Sequence, residues 1–160
     1  MRKLTSVLMI GLLVLIAFSC KKDKSESNTD KLTGKWWVNT SMTIDPAINL
    51  GGTLITDLWS QIPACTKDDM QKFESGGVFT FDEGATKCST NDPQTTTGTW
   101  AFNSDETVVS VTTVGANGTE TYSYTIVKLD SDKMTAKFSE VQDYGSGPLT
   151  YTYTITMVPK

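Results

Sequence analysis

Histidine is absent from this 160-residue chain. That absence excludes Ser-His-Asp and Cys-His nucleophilic catalysis, His-ligated zinc, and the side chain most used as a general base near neutral pH. Basic charge is scarce: 14 Lys and Arg face 18 Asp and Glu, and the basic residues form no stripe. Phosphate contact needs clustered Lys and Arg, so nucleic acid is not an expected partner. Long apolar runs are missing as well. Val7 to Phe18 holds 12 residues, where a membrane-spanning helix needs about 20. No phosphate loop, dinucleotide fingerprint or nucleophile elbow occurs, so no cofactor and no metal is expected.

What is present begins with Arg2 and Lys3, the apolar run, and then Ala17-Phe18-Ser19-Cys20 followed by Lys21-Lys22-Asp23. A basic start, a short apolar stretch and a small residue at the cut suit a secretory signal. The Ser-Cys-Lys-Lys-Asp junction resembles a lipoprotein signal of the Bacteroidetes type, with Ala17 and Phe18 at positions that more often hold Leu and a small residue. The resemblance implies cleavage after residue 19, lipidation of Cys20, and anchoring at the cell envelope, outer membrane, with the leaflet left open. The other reading of these residues is an ordinary signal peptide that leaves Cys20 as a free thiol. The signal takes two basic residues and no acidic one, so the remainder carries 12 basic residues against 18 acidic ones, a net charge of −6. Such a surface does not attract anionic lipid; the acyl chains are expected to hold the protein to the membrane.

With Cys20 lipidated, Cys65 and Cys88 are the remaining pair in an exported chain, and a disulfide is the economical reading. Closing that loop stabilises a fold by about 3 kcal/mol in the chain-entropy description. A catalytic thiol at either position would lack its usual base.

Residues 20–30 read as the lipidated cysteine and a solvated tether, because 21–30 contain no apolar residue. Residues 31–160 change to short alternating runs of Thr, Val, Tyr, Phe and Trp, which is strand chemistry. In the last run, Leu149, Tyr151, Tyr153, Ile155 and Met157 fall on one face, opposite Thr150, Thr152, Thr154 and Thr156. Strands are also expected at Lys35–Ile44, Met70–Glu74, Val78–Asp82, Thr97–Phe102, Thr107–Val114, Thr119–Val127 and Lys133–Val141. Turn residues separate them at Asn103-Ser104-Asp105, Gly115-Ala116-Asn117-Gly118 and Asp130-Ser131-Asp132. The expected fold is all-β: an eight-stranded antiparallel up-and-down β-barrel, which leaves no exposed edge. One stretch departs from this pattern. In Asp45–Asp69, Leu54, Leu58 and Ile62 share a helical face beside Ile55 and Trp59, so a short helix is expected, either capping the barrel or acting as a lid.

Gly34-Lys35-Trp36 at the entry to the first strand resembles the first signature of lipocalins, in which the Trp plugs the closed barrel end. Pro63-Ala64-Cys65-Thr66-Lys67-Asp68-Asp69, the Phe73–Gly77 turn, Gly84–Cys88 and Gly98-Thr99-Trp100 are similar to the lipocalin-like (calycin-type) domains of secreted Bacteroidetes lipoproteins. The resemblance covers residues 31–160. It implies a barrel, Trp36 as its plug, and a Cys65–Cys88 pair between neighbouring strands. Later lipocalin signatures have no counterpart, so it implies an architecture and no particular ligand.

The candidate binding residues are the aromatics expected to point inward: Phe79, Phe81, Trp100, Phe102, Tyr122, Tyr124, Phe138, Tyr151 and Tyr153. They suit a hydrophobic small molecule if the barrel is hollow, and a self-filled core if it is not. Asp68-Asp69 and Asp82-Glu83 are close to the cysteines in sequence and could meet in space, but their spacing matches no specific ligand loop, and solvated turns are their commoner role. No catalytic residue is expected. The expected function is binding of a small hydrophobic molecule within the barrel. The alternative is a structural or interaction module of the cell envelope with a packed barrel and a protein partner.

Overall fold

The computed structural model describes residues 26–115, 118–145 and 147–160. The signal segment, Cys20, the first part of the tether and the Ala116-Asn117 hairpin tip lie outside those residues. A short helix α1 (Asn28–Leu32) crosses the expected boundary at Lys31. Ser27 caps it reciprocally: its Oγ accepts from the Asp30 backbone N–H while the Asp30 carboxylate accepts from the Ser27 N–H.

Among the described residues nine strands and one further α-helix follow: β1 (Trp36–Leu50), β2 (Thr53–Asp57), α2 (Ala64–Lys67), β3 (Met70–Glu74), β4 (Val78–Asp82), β5 (Thr95–Phe102), β6 (Val108–Gly115), β7 (Gly118–Leu129), β8 (Met134–Gln142) and β9 (Leu149–Pro159). From β3 onward each strand pairs antiparallel with the next. The circuit closes through β1, which pairs with β9 over Trp37–Asp45 and with β3 over Trp36–Val38. The result is a closed eight-stranded up-and-down barrel. Alternation along the strands builds it: on β9, Tyr151, Tyr153 and Met157 are buried, and the threonines between them are more exposed.

β2 is additional to the eight and corrects the helical face expected of Leu54, Leu58 and Ile62 within Asp45–Asp69. Gly51 and Gly52 adopt φ of +60° and +90°, a conformation that favours glycine, and the turn they make sends the chain back along β1. Leu54 then pairs with Asn49 and is 70% exposed, so the supposed helical face does not exist. The helical content of this segment is a 3-10 turn at Trp59–Gln61 and the four residues of α2.

The two ends of the barrel differ. At the α1 end, Leu32, Trp37, Phe73, Trp100, Val109, Leu129, Met134 and Met157 form a packed cluster. Phe73 meets Phe79 and Trp100 edge-on, with ring centroids 5.4 and 5.5 Å apart. The buried indole N–H groups are satisfied: Trp37 donates to the Leu32 carbonyl at 2.8 Å and Trp100 to the Glu74 carbonyl at 2.9 Å. Trp37, not Trp36, is the plug. Strand alternation turns Trp37 fully inward, while the part-exposed Trp36 lies beneath the Lys72 ammonium, 5.8 Å from it. Glu106 fastens α1 across this end, accepting from the Asn28 N–H at 2.8 Å and the Thr29 hydroxyl at 2.6 Å, and these bonds hold its carboxyl below the usual range.

Candidate functional site

Away from α1 the barrel is hollow. A chamber of about 210 Å³ lies under the segment between β2 and β3. Met42, Phe138, Ile155 and Met157 form much of its apolar wall, and Trp59, Ile62 and Thr66 of the covering segment reach its other side. Phe73, Val109 and Met134 floor it with the packed cluster. A second space of about 290 Å³ is bordered by Phe79, Phe81, Thr96, Val111, Thr113 and Tyr122. Gln71 and Tyr124 stand in the walls of both.

Local features of the strands make this space. In β1 the pairing with β9 shifts between Asn39 and Ser41, a bulge that places Trp37 and Asn39 on the inner face before it and Met42 and Ile44 after it. β1 leaves β3 at Val38, and the covering segment lies beyond that point. On β5, Gly98 presents no side chain; a Cβ there would come within 2.2 Å of the Thr112 carbonyl oxygen. The β7–β8 ladder covers Thr125–Leu129 and Met134–Lys137. Beyond it β7 continues on β6 and β8 on β9, leaving a slit bordered by Tyr122, Ser123, Phe138, Ser139 and Glu140.

The covering segment is held at several points. The Leu58 N–H donates to the Met42 carbonyl at 2.9 Å. A Cys65–Cys88 disulfide, with Cα atoms 5.2 Å apart, ties α2 to the loop after β4. The Asp68 carboxylate accepts from the Ala85 and Thr86 N–H groups at 2.8 and 2.9 Å. Gly84 closes the turn with φ +67°, and a Cβ there would meet the Asp68 carbonyl at 2.4 Å. The bridge spans 23 residues, so Cys65→Ser is expected to cost about 3 kcal/mol. Urea unfolding of the variant beside the oxidised wild type measures this; an unchanged midpoint would contradict the role given to the bridge.

The acidic pairs flagged in the sequence do meet. Asp69 is pushed up to about 6 by partial burial and then by the charges of Glu83, Asp68 and Asp82. Among the described residues no group of three or more Asp, Glu, Cys or His has a metal-holding arrangement. Asp68 and Asp82 instead organise the loop, since Asp82 accepts from the Gly84 N–H and the Gln94 amide. Asp69 carries a stability penalty. Its folded value lies above its unfolded one, so the ionised carboxylate weakens the fold above pH 6, and the penalty fades as pH falls toward 4. Asp69→Asn is therefore expected to raise the thermal midpoint at pH 7 by a few degrees and to leave it nearly unchanged at pH 4. Calorimetry at both values checks it, and a lower midpoint at pH 7 would refute it.

No family model matches the chain, and no curated protein matches it. Solved structures similar to it include two of bovine odorant binding protein. One is a deswapped triple mutant of bovine odorant binding protein, 14% identical, with 80% of this chain and 73% of that chain covered and a TM-score of 0.40. The other is bovine odorant binding protein in complex with a selenium-containing odorant, 14% identical, covering 88% and 77%, with a TM-score of 0.42. Likeness at this level assigns neither family nor ligand.

Of the aromatics expected inside, Phe79, Phe81, Tyr122, Tyr124 and Phe138 border the hollow half. Tyr122 sits at its rim, 42% exposed, with its hydroxyl on Glu120. Trp100 and Phe102 belong to the packed end, edge-on at 5.6 Å. Tyr151 and Tyr153 are buried in a second cluster with Ile44 and Ile48, where Tyr153 stacks on Phe138 and shares a 3.0 Å hydrogen bond with Tyr144. These four are packing residues. Sequence reading missed Asn39, Met42, Gln71 and Ile155 as wall residues of the chamber. Ile155 was legible as inward on the last strand; the bulge and the polar run Asn39-Thr40-Ser41 concealed Asn39 and Met42 on β1, and Gln71 on β3 carried no apolar signal.

Proposed function

We propose that this protein is an exported, lipid-anchored, lipocalin-like carrier that holds a small hydrophobic molecule in the hollow half of its barrel. One observation carries the reading: a largely apolar chamber, with a second space beside it, lies inside a barrel whose α1 end is packed. A self-filled barrel would place side chains where this one has about 210 Å³ of room. An engineered apolar cavity of about 150 Å³ already takes up benzene. Binding, rather than catalysis, fits a chamber wall that carries no ionisable side chain except Tyr124, which burial pushes up to about 12 and keeps a neutral phenol. Anchoring through Cys20 at the outer membrane rests on the lipoprotein-type junction in the sequence.

A second reading, docking to an envelope protein, draws support from exposed Leu50, Leu54, Val114, Val141 and Leu149 near the strand ends remote from α1. Native mass spectrometry of the protein purified from its own host tests both parts of the proposal. A reproducible extra mass lost on denaturation is expected for the cargo, and an acyl mass retained on Cys20 after denaturation for the anchor. A bare polypeptide would overturn the carrier reading, and an unmodified Cys20 the anchor.

A further inference from the structure

An up-and-down barrel usually closes its whole wall, because an unpaired strand edge leaves backbone N–H and C=O groups without partners. This wall has a gap. Between β7 and β8 the ladder ends at Thr125 and Lys137, yet β7 extends along β6 from Gly118 and β8 along β9 to Gln142. Thr121, Tyr122, Ser123, Phe138, Ser139 and Glu140 border the slit. Phe138 also borders the chamber and Tyr122 the second space, so each ring stands between the slit and an interior space. Tyr124 and Phe138 meet edge-on across its base, with centroids 5.5 Å apart. Each hairpin is paired within itself, so parting the two beyond Thr125 breaks no ladder bond. The covering segment is harder to lift, being tied by the Leu58–Met42 bond, the Cys65–Cys88 disulfide and Asp68. The lips of the slit are acidic. Glu140 borders it, and Glu120 accepts from the Tyr122 hydroxyl. No Lys or Arg borders the slit, and none lines the chamber or the second space.

We propose that the cargo enters and leaves sideways through this slit, and that Glu120 and Glu140 admit neutral and cationic amphiphiles while holding back carboxylates. This rests on the carrier reading and adds the route and the charge class of its ligand. An apolar body passes when the Tyr122 and Phe138 rings turn aside, and side-chain rotation is far faster than lifting a tied segment. A carboxylate meets two like charges at the lips, where repulsion is long-ranged at low salt. Inside, it finds no cation to offset its desolvation. An ammonium is drawn to the same two glutamates and rests at the lips beside the aromatic rings, with its apolar body inside. A fatty acid is therefore turned away, while an apolar alcohol or amine is accepted.

Stopped-flow fluorescence at pH 7 and low salt tests this on the purified chain with 2-naphthylmethanol, 2-naphthylmethylamine (an ammonium at this pH) and 2-naphthoate. The alcohol and the amine are expected to associate about tenfold faster than naphthoate, or more. Glu140→Gln should narrow that gap, and Asp132→Asn, at the other end of the β7–β8 hairpin, should not. The chain has no histidine, so Ser123→His together with Ser139→His sets a zinc clamp across the slit. Zinc held by this double variant is expected to slow association and dissociation of the alcohol together, by about tenfold, and to leave its equilibrium affinity unchanged. A chelator should restore both rates, and zinc should not affect the wild type. Tyr122→Ala, which widens the slit, should speed both rates and decides the matter if the clamp takes up no zinc. Rates unmoved by the closed clamp, or unmoved in Tyr122→Ala, would route the cargo past the strand ends at Thr96 and Thr113. That result would overturn the portal and leave the carrier reading intact. Naphthoate entering as fast as the alcohol would overturn the charge selection. Saturable binding of none of the three would overturn both readings.

Discussion

Trp37→Ala is expected to remove about 3–5 kcal/mol of folding stability, the usual cost of truncating a fully buried aromatic. Trp36→Ala, one residue earlier, is expected to cost less than about 1 kcal/mol. The asymmetry follows from the pleat. Trp37 is completely buried, its indole N–H is held by the Leu32 carbonyl, and the Lys35 ammonium lies 4.8 Å from its ring. Removing it leaves a void beneath α1 and an orphaned carbonyl, and the loss reaches Phe73 and Met157 of the same cluster. Trp36 gives up a partly exposed contact with Lys72, worth little in water. Urea unfolding of both variants with the disulfide intact measures the pair. Equal losses, or a larger loss at Trp36, would mean that the closed end is not built as described.

The second large effect is on binding. Ile155→Trp places an indole in the chamber between β8 and β9 and is expected to weaken a naphthalene-sized probe by about 100-fold, close to 3 kcal/mol. The fold should survive with a loss of about 1–3 kcal/mol, because the added atoms enter existing space rather than a filled core. Thr154→Trp, on the opposite face of the same strand, is the control and should leave affinity unchanged. Retained binding in Ile155→Trp would place the ligand elsewhere, with the slit between β7 and β8 the next region to probe.

The barrel was legible because period-two alternation and turn chemistry are local signals. β9 announced its inner face through Tyr151, Tyr153 and Met157, and the two strands flanking Gly76-Gly77 emerge with their expected ends, Met70–Glu74 and Val78–Asp82. Cys65 and Cys88 pair with each other as expected, but between α2 and the loop after β4 rather than between neighbouring strands. What failed depended on non-local geometry. Adjacent tryptophans at 36 and 37 are equivalent in composition, and only the register against β3 and β9 decides which faces in. Leu54, Leu58 and Ile62 have helical spacing, but pairing with the far half of β1 overrides it. Packed or hollow could not be read from a list of aromatics. The answer lies in their heights along the barrel: Trp100 and Phe102 fill one end, Tyr151 and Tyr153 are drawn into a side cluster, and the middle is left open. Asn39 was hidden for the same reason, since its inward orientation depends on a bulge that strict alternation does not encode.

Xenon binding tests the half-hollow barrel most directly, because the atom is inert, needs no polar partner and occupies apolar cavities of this size. Crystals pressurised with xenon are expected to show a peak inside the barrel bounded by Met42, Phe138 and Ile155, and none among Trp37, Phe73 and Trp100. The peak should vanish in Ile155→Trp. An interior without xenon in the wild-type protein would mean that side chains fill the chamber, and the carrier function would fall with it.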